Sequence, residues 1–152
     1  LIFGECFVKS FDVMHDAERC LGFSFEYNSK KLTYASDIGF ADKVVKENFK
    51  NSDVIVLESN YNLNMLMNGP YHWNLKNRVK SKNGHLSNGE AAKLIMEVAT
   101  SRLKKVYLLH ISGDNNTPEL AYNTVKELLD RENINVELEV VTEKATLIYE
   151  VL

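Results

Sequence analysis

The apolar positions along the chain change period several times, and each change marks an element. Residues 5–13 read as a strand. Residues 22–28 and 31–36 are two runs rich in β-forming side chains. Asn28-Ser29-Lys30 joins them, which predicts a hairpin. Residues 41–50 read as a short helix. The unbroken apolar run over 53–58 suits a strand buried on both faces. Short helices are expected over 62–69 and 72–81. Ser87-Asn88-Gly89-Glu90 has capping-box spacing, and behind it Ala91, Ile95 and Val98 share one helical face. Residues 105–111 form another buried strand. Thr117-Pro118 then pairs an N-cap with proline at the first helical position, and Ala121, Val125 and Leu128 make that helix's core stripe. Residues 136–142 and 146–152 read as two strands around a turn at Glu143-Lys144.

The order is antiparallel pairs first, then β-α-β-α-β. Helices cover the outer face of such a mixed sheet. The inner face needs a second sheet, which a partner chain or another copy supplies if it is missing. With 152 residues, 45% hydrophobic and 26% charged, the chain is expected to fold as one domain over 1–152. The apolar runs are too short to cross a membrane, and no signal peptide is evident. The chain opens on Leu1-Ile2-Phe3-Gly4 without an initiator Met, which reads as the interior of a longer protein. A net charge of −3 provides no global field to attract nucleic acid. Cys6 and Cys20 are read as reduced thiols of a cytoplasmic protein, with a single bridge between them left open.

Three of the four histidines sit in suggestive places. His15 follows the first strand, His110 ends the strand Val106-Tyr107-Leu108-Leu109, and His85 lies in the turn before the capped helix. Asp37 ends another strand. Polar groups at strand ends converge on one sheet edge, where open α/β sheets place their ligands. Two imidazoles and a carboxylate suit zinc or manganese. A lone histidine at a strand end is more often a hydrogen-bonded structural residue, and no short motif joins these candidates.

Ordered segments add weight. They are His15-Asp16-Ala17 before the Gly22-Phe23 strand, Ser36-Asp37-Ile38-Gly39, Glu58-Ser59-Asn60, and Gly84-His85-Leu86-Ser87-Asn88 followed by His110-Ile111-Ser112 and Asn115-Asn116. Between them stand Met65-Leu66, Gly69-Pro70-Tyr71, Trp73-Asn74 and Leu75-Lys76-Asn77-Arg78. Together they resemble the YycJ-like branch of the metallo-β-lactamase superfamily. The resemblance implies the C-terminal half of an αββα sandwich and a hydrolase site with two divalent metal ions. By the same resemblance His15 is a ligand of the first metal, Asp37 bridges both, and His110 is a ligand of the second. His85 meets the scissile phosphate, and Glu58 holds His85. The implied substrate is a phosphodiester, most readily in DNA. A bridging carboxylate lowers the repulsion between two dications about 3.5–4 Å apart.

Two departures matter. The family's His-x-His-x-Asp-His cluster does not occur in this sequence, which leaves three metal ligands for two ions. The 152-residue chain alone is therefore expected to be inactive or nearly so. Family members often carry His-Asp after the Glu-x-Asn segment, where this chain has Tyr61-Asn62. Lys76, Arg78, Lys80 and Lys82 crowd the approach to His85. Contacts to a nucleic-acid backbone are one reading, but a solvated helix face is the preferred one. His72 reads as packing or surface, and Asp114, Asn115 and Asn116 as the turn before the last helix. Asp12 and Asp16 are candidate partners of the site. The alternatives are a same-fold hydrolase of a small phosphodiester or thioester, and a non-catalytic domain acting through assembly.

Overall fold

In a computed structural model that describes residues 2–142, seven strands form one sheet in their order along the chain. Strands β1 (Ile2–Phe3), β2 (Cys6–Val13), β3 (Cys20–Tyr27) and β4 (Lys30–Ala35) pair antiparallel. Strands β5 (Val54–Glu58), β6 (Lys105–Leu109) and β7 (Glu137–Val140) continue parallel to β4. Parallel pairing needs long crossovers. These are α1 (Lys43–Phe49), then α2 (Leu63–Asn68), α3 (Trp73–Val79) and α4 (Asn88–Val98), then α5 (Pro118–Arg131).

Local chemistry starts the helices where the sequence predicts. Asp42 and Asn62 cap α1 and α2 through their side chains. Ser87 and Glu90 complete the reciprocal capping box of α4, and Thr117 caps α5 ahead of Pro118. One core then forms between the sheet and three helices. Phe11, Val13, Ala35, Ile55, Leu57, Val106 and Leu108 point into it from the strands. Val45 and Phe49 of α1, Ala91, Ile95 and Val98 of α4, and Ala121, Val125 and Leu129 of α5 close over them. Leu129, rather than Leu128, completes the buried stripe of α5; Leu128 packs only at the margin of the core.

Side chains alternate across a sheet, and Phe11 lies opposite Gly22. Leu21, Phe23, Phe25 and Tyr27 therefore occupy the face away from the helices, beside Leu32 and Tyr34. Phe25 and Tyr27 are exposed. This is the face for which the sequence calls for a second sheet. Cys20 pairs with Val13, seven positions along β2 from Cys6. That spacing is roughly 23 Å, far beyond disulfide reach, and both thiols are free. Short β1 was not expected from the sequence, and the strand expected over 146–152 lies outside the described residues. Among the described residues no helix is long and apolar enough to cross a membrane.

Strand direction positions the site. Two antiparallel steps, from β2 to β3 to β4, make β2 run the same way as β4, β5 and β6. All four end at one sheet edge. His15 follows β2, Asp37 follows β4, Glu58 is the last residue of β5, and His110 follows β6.

Candidate metal centre

Asp37 and His110 from that edge, with His85, meet around the buried carboxylate of Glu58, and His15 stands beside them without touching it. Glu58 is fully buried, and both its oxygens accept hydrogen bonds. Oε2 accepts from the Asp37 backbone N–H at 2.9 Å, His85 Nδ1 at 3.1 Å and His110 Nδ1 at 2.8 Å. Oε1 accepts from the Leu86 N–H at 2.7 Å. Burial of a carboxylate is costly unless donors surround it. Here burial pushes the Glu58 pKa up, but the hydrogen bonds from His110 and His85 and the Leu86 N–H outweigh it and hold the group below its ordinary value. Conversely, the Glu58 hydrogen bond raises the His110 pKa against the opposing effect of burial, with Asp37 adding to the rise.

This arrangement assigns the ring nitrogens. With Nδ1 of His85 and of His110 donating to Glu58, each ring keeps Nε2 free. His15 donates from Nδ1 to the Gly84 carbonyl at 2.9 Å, so its Nε2 is also released. That Nε2 lies 3.3 Å from Asp16 and 3.9 Å from Asp37 Oδ1. Asp37 Oδ1 is 3.5 Å from His110 Nδ1 and 3.8 Å from His85 Nδ1, the nitrogens that also meet Glu58. The rings of His15 and His85 stand 4.9 Å apart, those of His85 and His110 5.2 Å. One donor atom from each of Asp37, Glu58, His85 and His110 lies within 4.8 Å of the others, a spacing that can hold a metal ion. Glu58 is the least suited of the four to bind one, because four N–H groups already occupy its lone pairs. The remaining set, imidazoles beside a carboxylate, is of the donor types that zinc or manganese accepts.

Backbone shape brings these groups together. Asp37 and His110 both adopt left-handed φ, 53° and 57°. Such a conformation is uncommon away from glycine, although Asp and His are among the residues that tolerate it. Each turns its strand end sharply: the strand expected to reach residue 111 stops at Leu109. Two glycines permit the next contact. A Cβ on Gly39 would sit 2.5 Å from the Gly84 nitrogen, and one on Gly84 only 2.1 Å from the Val79 carbonyl oxygen. The loops carrying Asp37 and His85 can therefore touch backbone to backbone.

A polar layer that the sequence did not suggest supports the edge from below. Ser59, Asn88 and Asn116 are buried and bonded to one another: Ser59 Oγ to Asn88 Oδ1 at 2.7 Å and Asn88 Nδ2 to Asn116 Oδ1 at 3.0 Å. Asn60 donates to the His110 carbonyl at 2.8 Å. Ser59-Asn60 and Asn115-Asn116 belong to segments that carried the resemblance, but buried amides follow no sequence period that would reveal their role. Tyr61 is buried beside the α4 cap and Asn62 caps α2, so both serve the scaffold.

A cleft of 420 Å³ opens at the site, lined among others by His15, Asp16, His85, His110, Tyr71, Leu75 and Arg78. The expected solvated face of Lys76–Lys82 holds for Arg78, Lys80 and Lys82, which are exposed, and fails at Lys76. Lys76 is buried, its Nζ donating to the Met67 carbonyl at 2.8 Å. Lys80 lies over the Trp73 ring and Lys82 over Phe40, while Arg78 binds Asp16. Asp12 is not part of the site; it faces Arg19, 3.5 Å away, on the surface. Exposed His72 precedes α3 without capping it. Asp114 accepts from Tyr71, and Thr117 rather than the preceding residues caps α5.

A sheet whose parallel strands end in histidines and a shared carboxylate, with helices on one face, defines a metallo-β-lactamase-type half-sandwich. The chain belongs to the β-lactamase superfamily domain family, whose model matches residues 3–111. It is 37% identical over 134 residues to Exodeoxyribonuclease YycJ of Bacillus anthracis, covering 88% of this chain and 51% of that protein. It is 34% identical to Exodeoxyribonuclease WalJ of Streptococcus pneumoniae, covering 88% of this chain and 50% of the relative. The chain thus spans about half the length of the curated relatives it matches. Among solved structures it resembles the metallo-β-lactamase fold protein YhfI from Bacillus subtilis. The TM-score is 0.66 at 14% identity, over 93% of this chain and 48% of that one. A likeness at that identity speaks for the fold alone.

Proposed function

We propose that this chain carries part of the active site of a metal-dependent hydrolase that cleaves phosphodiester bonds in DNA. The observation that supports this most is His85, held through Nδ1 by buried Glu58, with Nε2 free and its ring in the cleft beside Asp37 and His110. The exodeoxyribonuclease names of the relatives point the same way.

His15 Nε2, the Asp37 carboxylate and His110 Nε2 would hold the metal ions. Zinc or manganese fits these donors. Divalent ions held there would supply Lewis-acid charge and bring the ionisation of water toward neutral pH. Glu58 fixes the tautomer and orientation of both His85 and His110. When the ring carries a proton on both nitrogens, His85 keeps Nδ1–H on Glu58, and its Nε2–H steadies the charge growing on the phosphoryl oxygens or passes that proton to the leaving oxygen. Three donors fall short of two ions' needs, so further ligands must come from residues outside this set. The isolated 152-residue chain is accordingly expected to turn over DNA no faster than its His110→Ala variant. Free Cys6 and Cys20 accord with a cytoplasmic setting.

The test uses the intact protein with Mn²⁺ on DNA, with metal content measured in parallel. His85→Ala should lower kcat by about 10²–10⁴-fold while metal content holds. Asp37→Ala should lose metal and activity together. Full kcat in His85→Ala would overturn the assignment. Faster turnover of a thioester or a small phosphodiester would move the proposal to another substrate of the same fold.

A further inference from the structure

Of the four cations at 76, 78, 80 and 82, only one lines the cleft. Lys76 is buried against the Met67 carbonyl, and Lys80 and Lys82 rest over Trp73 and Phe40. Arg78 lines the cleft together with His15, His85 and His110, its side chain 66% exposed. Its tether is specific: Nε donates to Asp16 Oδ2. Asp16 reaches His15 Nε2 through its other oxygen at 3.3 Å. A guanidinium presents five N–H donors in a rigid fork. A carboxylate on the Nε edge fixes the direction of the fork and leaves donors of the terminal nitrogens facing open space. That is the geometry for gripping a phosphate with two parallel hydrogen bonds.

We propose that Arg78 is a substrate-specificity residue that grips a second phosphate of a single-stranded nucleic acid, neighbouring the phosphate at His85, with Asp16 as its positioning residue. The inference rests on the phosphodiesterase reading of the site and deepens it. The 420 Å³ of the cleft has room for a nucleotide at a strand end, pockets of about 300–1,000 Å³ being usual for small molecules. Tyr71 and Leu75 line the same cleft and offer apolar surface against which a sugar or base can lie. The chain's net charge of −3 provides no general attraction for nucleic acid, so a local cation at the cleft must supply it.

The experiment measures binding of a short fluorescein-labelled oligothymidylate to the intact protein in EDTA, by anisotropy over a range of salt concentrations. Nothing is cut under these conditions. Arg78→Ala should weaken binding roughly ten-fold and flatten the slope of log K against log salt by about 0.7. Arg78→Lys should keep the wild-type slope but lose much of the affinity, because the charge remains and the fork does not. Asp16→Asn should also keep the slope, since the guanidinium is untouched, with a smaller loss of affinity. Circular dichroism of each variant should match the wild type, because the Arg78 side chain is largely exposed. Equal affinity and slope in Arg78→Ala and wild type would overturn the proposal, as would a wild type that does not bind. Cleavage by the same samples after Mn²⁺ is added reads the phosphodiesterase assignment separately. A protein that binds through Arg78 but never cuts keeps this inference and loses the other.

Discussion

Strand β5 has a buried carboxylate at each end, and the two are used in opposite ways. Asp53 stands just before the strand and accepts from the Lys31 N–H at 2.9 Å and from Arg102 at 2.7 Å. Its own N–H and C=O bond to Lys31 and Lys104. Glu58 closes the strand and accepts from two backbone N–H groups and two imidazoles. Both carboxylates are held below their ordinary pKa although burial pushes each of them up. The difference lies in the partners. Arg102 helps close a knot that joins the starts of β4, β5 and β6. The imidazoles bound to Glu58 each keep a second nitrogen, and those nitrogens are what the site has available for chemistry. A buried carboxylate therefore marks structure or function according to what its partners still have free.

Glu58→Gln tests that contrast most severely. Each oxygen of Glu58 faces a backbone N–H, Asp37 at one and Leu86 at the other. A glutamine has one carbonyl oxygen, so in either orientation its NH₂ meets a donor. The substitution should cost about 3–5 kcal/mol and lower Tm by roughly 10 °C, and metal content should fall because His110 loses its anchor. A variant with unchanged Tm and metal content would reduce Glu58 to a bystander. Gly84→Ala should come next, at about 1–3 kcal/mol. The new Cβ would press on the Val79 carbonyl oxygen, and relief would move the chain that carries His85. Its kcat should fall more than its unfolding free energy alone explains. An equal loss of activity and folded fraction would argue that the approach of Gly84 serves the fold only.

The sequence made much of the scaffold legible. The unbroken apolar run at 53–58, the Ser87–Glu90 box and the Thr117-Pro118 start are local signals, and the structure holds an element at each. Strand-end His15, Asp37 and His110, with Glu58 and His85, were legible mainly through a resemblance of ordered segments, and the structure brings all five together. The hidden parts depend on contacts between distant residues. Gly39 against Gly84, the Ser59–Asn88–Asn116 layer and the second histidine on Glu58 join residues too far apart for any period to register. One member of the basic run was hidden for the same reason: Arg78, Lys80 and Lys82 are exposed as alternating cations suggest, while Lys76 is turned inward by a carbonyl from the neighbouring helix.

The Asp53 end should yield the smallest effect and the clearest pH dependence. Its folded pKa lies below the value of 3.8 that it takes without these partners. Its contribution is therefore fully present above about pH 4 and fades as the pH falls through the lower folded value. Arg102→Ala removes the cation that bonds to it at 2.7 Å and lets the folded pKa rise toward the unfolded one. At neutral pH the variant should be less stable by at most about 1 kcal/mol, since the guanidinium is half exposed. In acid, where Asp53 is protonated in both proteins, the gap should close. Urea unfolding of wild type and variant across this range measures the gap directly. A constant difference at every pH would mean that Arg102 acts through its alkyl packing or its bond to the Ser29 carbonyl. Metal content should not change in either case, because nothing at this end of β5 reaches the imidazoles at the other.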